Sequence, residues 1–188
     1  MPRGKDEGEE GASPPRVRPP ALRARSLIEV LVRHDVRFIV IGGVAERLLG
    51  SPRLTDDFDI CAAEDRENKE RLAGALNDLE AVFRPPGVEE GYPPPEPWSA
   101  KSFSSFTSRA LTTTNGWLDV WFRPDGTNGY RDLIRGAVEM EVAGFKVKVA
   151  GLDDIIRSKE AAATTKYLSH LPLLRELREQ RRRLEGEN

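Results

Sequence analysis

The chain has 188 residues, a formal net charge of −2 from 29 basic and 31 acidic side chains, and a hydrophobic share of 38%. This size points to one domain, and the near-neutral balance gives no general pull towards nucleic acid or an anionic membrane. A single cysteine, Cys61, excludes a disulfide framework and a cysteine–histidine zinc cluster, and no apolar run approaches the roughly 18 residues of a membrane helix.

Residues 1–20 are rich in Pro, Gly and charge and read as a disordered tail. They also lack the apolar core of a signal peptide, so a cytoplasmic setting is expected. A domain is expected over 21–188. Its first helix runs from Ala21 to His34, with Leu27, Ile28, Leu31 and Val32 as the apolar stripe. The β-branched stretch Arg37 to Ile41 is a buried strand ending at Gly42-Gly43. A short helix, Val44 to Leu49, stops at Gly50-Ser51-Pro52. A second strand enters at Thr55 or Asp56 and runs to Ala62, followed by a long amphipathic helix from Glu64 to Val82.

Prolines 85, 86 and 93–95 bracket an irregular loop, and Phe103 to Thr107 reads as an edge strand. Ala110 to Thr113 and Trp117 to Phe122 form a hairpin turning at Asn115-Gly116. A short helix from Tyr130 to Arg135 precedes a second hairpin, Val138 to Val142 and Phe145 to Val149. The chain closes with helices from Leu152 to Ala163 and from Lys166 to Leu184, a C-terminal helical segment over about 152–186. This order predicts an α/β (α+β) fold with one mixed sheet flanked by helices.

The segment from Ser51 to Ile60 carries the chemistry. Asp57 and Asp59 stand two apart in a strand, so they share a face while Phe58 and Ile60 point into the core. Two carboxylates about 7 Å apart repel unless a cation lies between them, which suits a divalent metal. Gly42-Gly43 lies at a strand-to-helix junction. There glycine serves either a tight turn or the close approach of a phosphate to free backbone N–H groups. Asp119 is set among Trp117, Leu118, Val120 and Trp121, so it needs a metal, a partner or solvent. Thr55 either bonds the backbone at the strand entry or contacts phosphate.

The combination of Gly42-Gly43, a short helix, Gly50-Ser51-x-Arg53-x-Thr55-x-Asp57-x-Asp59 and a later strand aspartate resembles the DNA polymerase β-type nucleotidyltransferase superfamily. From Phe38 to the C-terminal helix the chain is similar to its AbiEii/MenT-like, toxin-type bacterial branch. The resemblance implies a polymerase β-like fold and transfer of a nucleoside monophosphate from an NTP, ATP among them. Asp57 and Asp59 would hold two Mg²⁺ ions roughly 3.5–4 Å apart, and Asp119 would complete the second metal site. Gly42, Gly43, Arg53 and Lys159 would hold phosphates, with Lys159 also a catalytic residue. The implied acceptor is the 3′ end of tRNA, and the implied protein partner a cognate antitoxin. Arg16, Arg18, Arg23, Arg25 and the cluster Arg181 to Arg183 are the candidates to meet RNA.

One block departs from the family pattern. Where the branch commonly reads K-x-A-A-x-R-x-K-D, this chain runs from Lys159 to Tyr167 with Thr164 at the arginine and Tyr167 at the acid. The alternative expectation is therefore a degenerate member that binds nucleotide or a partner, or a transferase acting on protein or a small molecule.

Overall fold

The computed structural model describes residues 21–86 and 91–186, so the expected tail over 1–20 lies outside the described residues. The chain begins with α1 (Ala24–Arg33), β1 (Phe38–Ile41), α2 (Gly42–Leu48), β2 (Asp57–Ala62), α3 (Arg66–Asp78) and β3 (Val82–Phe83). A 3₁₀ turn (Ala100–Phe103) leads to β4 (Ser108–Thr113) and β5 (Gly116–Trp121). Then come α4 (Tyr130–Leu133), β6 (Val138–Val142), β7 (Phe145–Val149), α5 (Leu152–Ala162), α6 (Thr165–Leu168) and α7 (Leu171–Gly186).

The seven strands form one mixed sheet in the order β3-β4-β5-β2-β1-β7-β6. β1 pairs antiparallel with β2 and parallel with β7, and β2 runs parallel to β5. Ile39 and Val40 are neighbours on β1, point to opposite faces and are both fully buried, so both faces of the sheet centre are covered. Leu27, Ile28 and Leu31 of α1 and Leu72 and Leu76 of α3 are fully buried in the core. On the C-terminal side, α2 touches α5, which in turn packs on α6 and α7. Among the described residues no helix is long and apolar enough to cross a membrane.

Four expectations are corrected. The helix after β2 ends at Asp78 rather than Val82: Glu80 takes a left-handed φ of 49°, and Ala81 N–H donates to Leu76 at 2.9 Å. Val82 and Phe83 continue the apolar pattern but leave the helix to pair with Thr112 and Leu111. The edge strand is therefore β3, and Phe103 belongs to the 3₁₀ turn, with Ser99 and Ser102 capping each other. Phe103 is buried against the rings of Trp98 and Phe122.

The β4–β5 hairpin turns at Thr114-Asn115, because Gly116 already pairs with Thr113. Gly116 opens β5 with φ 112°, a conformation that asks for glycine. The last expected helix is broken in two. Ala163 caps α5 at φ 49°, and the Thr164 side chain caps α6 by accepting from Tyr167 N–H at 3.2 Å. Pro172 has no N–H to give to an interior helical turn, so α7 starts beside it.

Candidate active site

Strand register assembles the site. Ile41, the last residue of β1, lies opposite Asp59, and parallel pairing of β2 with β5 sets Asp59 beside Asp119 and Asp57 beside Trp117. Phe58, Ile60, Leu118 and Val120 are buried on the core face. Alternation leaves Asp57, Asp59, Trp117, Asp119 and Trp121 on the other face. One oxygen from each of Asp57, Asp59 and Asp119 lies within 4.8 Å of the others.

The two glycines open α2 instead of preceding it, and each leaves room for a site residue. Gly42 adopts φ 62°, and a Cβ there would overlap the Asp59 carboxylate. A Cβ on Gly43 would come within 2.5 Å of Thr55 Oγ1. Thr55 in turn donates to Asp57 Oδ1 at 2.5 Å, which orients that carboxylate.

Burial pushes the Asp59 carboxyl up to about 8, reinforced by the nearby charges of Asp57 and Asp119. Burial also raises Asp119, opposed by the guanidinium of Arg84, whose Nη2 donates to Asp119 Oδ1 at 2.5 Å. Three clustered carboxylates with one held largely protonated form a donor set short of positive charge. All the donors are hard oxygens, the chemistry that suits Mg²⁺. The residues present therefore fit a divalent cation.

A cavity of about 420 Å³ opens above the aspartates. Gly42, Gly43, Arg53, Thr55, Asp57, Asp59, Asp119 and Lys159, the residues singled out in the sequence, all line it. Lys159 arrives from α5 and Arg53 from the exposed loop between α2 and β2. The Lys159 ammonium is bound to a partner: Nζ sits 2.8 Å from Glu46 Oε1 and 4.4 Å from the centre of the Tyr167 ring. His170 Nδ1 completes the group, 3.6 Å from Glu46 Oε2 and 3.5 Å from Lys159 Nζ. Burial, and then Lys159, hold the His170 imidazole below its ordinary value. Tyr167 is raised by burial and then by Asp59, Asp57 and Asp119.

Sequence reasoning missed Glu46, Arg84 and His170. Glu46 carries a local signal, a carboxylate in the short apolar helix Val44-Ala45-Glu46-Arg47-Leu48-Leu49. Arg84 and His170 carry none, because each meets its partners across the fold. At the departures from the family pattern, Thr164 caps a helix, while the Tyr167 ring faces the Lys159 ammonium. The basic cluster near the C-terminus is partly engaged within the fold: Arg182 pairs with Asp153, and Arg181 donates to the Leu49 carbonyl.

Neither a protein-family model nor a curated protein sequence matches the chain. Solved structures do. The lincosamide antibiotic adenylyltransferase LnuA, with lincomycin bound, matches at TM-score 0.57 and 11% identity, over 84% of this chain and 98% of that one. The antibiotic-resistance factor ANT(2'')-Ia, in a solution structure, matches at TM-score 0.50 and 16% identity, over 87% of this chain and 94% of that one. At such identities what is shared is architecture. The chain has the mixed α/β, polymerase β-like fold of nucleotidyltransferases.

Proposed function

We propose that this protein transfers a nucleoside monophosphate from an NTP to an acceptor hydroxyl. The supporting observation is the β2–β5 register, which sets Asp119 beside Asp59 with Asp57 on the same face. The acceptor oxygen forms a bond to the α-phosphorus, the bond to the bridging oxygen breaks, and pyrophosphate leaves with that electron pair. Asp57, Asp59 and Asp119 would hold magnesium, two ions on this reading. Bound there, it supplies charge neutralisation for the triphosphate and acidifies the acceptor hydroxyl.

Asp119 takes the hydroxyl proton at a carboxylate oxygen. Gly42 and Gly43, whose missing side chains admit Asp59 and Thr55, line the cavity in which the triphosphate would lie, and Arg53 reaches it from the loop. Lys159 keeps one N–H on Glu46 and a second towards His170 Nδ1, and an ammonium has a third donor for phosphate. The domain on this reading spans 21–188 and acts in the cytoplasm, with the helices of 152–186 walling the cavity.

Two acceptors are supported by different observations. The resemblance to toxin-type enzymes favours the tRNA 3′ end, with a cognate antitoxin as partner. The concave cavity and its further carboxylates, Asp56 and Asp125 among them, favour a small polyhydroxyl compound carrying positive charge. The fold neighbours named for antibiotics agree with the second. The deciding experiment offers each radiolabelled NTP with Mg²⁺ to total tRNA, total protein and a panel of amino sugars, for wild type and Asp59→Ala. Label that depends on Asp59 identifies the acceptor. If no acceptor is labelled while NTP and Mg²⁺ still raise the melting temperature, the protein is a nucleotide-binding relative without transfer.

A further inference from the structure

Arg84 stands just past β3, at the edge of the sheet. Its backbone N–H donates to the Ala110 carbonyl at 2.9 Å, so its main chain is held by β4. Its side chain crosses to β5 and meets two residues there. Nη2 donates to Asp119 Oδ1 at 2.5 Å, and the guanidinium carbon lies 4.2 Å from the centre of the Trp117 ring. Trp117 and Asp119 are two apart on one strand and so share a face. A single planar guanidinium therefore stacks on one and bonds the other, a geometry that arginine has and lysine lacks.

The clamp is largely shielded: the Arg84 and Asp119 side chains are 18% and 19% exposed. Among the described residues, Arg84 is the one cation at ion-pair distance from any of the three clustered aspartates. A carboxylate on a strand can swing about two side-chain bonds. With one oxygen tied to a stacked guanidinium, the orientation of the other is set.

We propose that Arg84 is a positioning residue for the metal-binding carboxylate of Asp119: it holds one oxygen and aims the other at Asp57 and Asp59, with Trp117 fixing Arg84. This rests on the reading of the three aspartates as a divalent-metal centre. Groups that orient metal-ligating side chains commonly change metal affinity by about 10–100-fold when removed. A nearby guanidinium also repels a bound cation, so the direction of the change separates the two effects.

The test measures Mn²⁺ binding to the full chain, without nucleotide, by electron paramagnetic resonance. Wild type is compared with Arg84→Met, Arg84→Lys, Trp117→Phe and Asp119→Asn, each checked for its fold by circular dichroism. Arg84→Met is expected to weaken Mn²⁺ binding by about 10–100-fold. Arg84→Lys should fall between it and wild type, and Trp117→Phe, which keeps a ring face, should stay near wild type. If Arg84→Met does not fold, the intermediate loss in Arg84→Lys carries the test. Unchanged or tighter Mn²⁺ binding in the folded Arg84 variants, with binding lost in Asp119→Asn, overturns the proposal and leaves the metal centre standing. A wild type that binds no Mn²⁺ overturns both.

Discussion

Glu46 and Lys159 meet at 2.8 Å with side chains only 3% and 9% exposed, so the lysine beside the aspartates is one half of a buried ion pair. Removing one partner of such a pair leaves a charge in low dielectric and costs about 3–5 kcal/mol. Glu46→Ala should lower the urea midpoint accordingly, at unchanged slope. Replacing both, as Glu46→Leu with Lys159→Met, should recover most of that loss, because no lone charge is then buried.

Gly42→Ala should damage both the metal centre and the fold. Its φ of 62° costs an alanine about 1–2 kcal/mol, and the new methyl would strike the Asp59 carboxylate. The expected outcome is a fall in metal-free stability beyond that φ cost, because the methyl also meets the Asp59 Cβ, together with loss of the melting shift produced by Mg²⁺. A variant that keeps the full Mg²⁺ shift would show that Asp59 can move without losing the ion.

The Asp59 carboxyl, raised from 3.8 to about 8, sets a pH dependence for the metal-free protein. The folded state prefers the protonated form, so this contribution to stability is complete below about pH 4 and is lost as pH rises towards 8. Asp59→Asn should remove that slope and be more stable than wild type at pH 8 without metal. Metal requires the ionised carboxylate, so Mg²⁺ affinity should climb over the same range. Calorimetry in two buffers of different ionisation enthalpy should find close to one proton released at pH 7 and far less at pH 9.

Cys61 is fully buried between Ile60 and Ala62 on β2, with Sγ 3.8 Å from the Phe122 carbonyl. Burial pushes its thiol up to about 12, which leaves almost no thiolate at pH 8. The native protein should be unreactive towards a chromogenic disulfide reagent at pH 8, and should gain one reactive thiol on unfolding. Fast labelling of the native state would mean that β2 opens readily.

The aspartates could be read in the sequence because strand alternation is local. Asp57 and Asp59 share a face wherever that strand lies, and Phe58 and Ile60 determine which face is buried. The glycine pair was visible at the end of the strand, but that its missing side chains make room for Asp59 and Thr55 was not, because those contacts are tertiary. Helix ends were less legible. Val82 extends the apolar period of α3, and its escape to β4 depends on Thr112, thirty residues later. The break between α6 and α7 did have a local signal in Pro172, which outweighs the helical periodicity around it.

By itself, the sequence determined the kind of fold, the buried faces of its strands and the candidate metal-binding carboxylates, because periodicity and residue chemistry are properties of short segments. Only the tertiary structure decided which groups meet. Parallel pairing of β2 with β5 brought Asp119 to Asp59, β3 carried Arg84 to Asp119, and the packing of α5 near α2 tied Lys159 to Glu46. Those contacts join residues 35 to 113 positions apart, and their energies depend on burial, which no local pattern encodes.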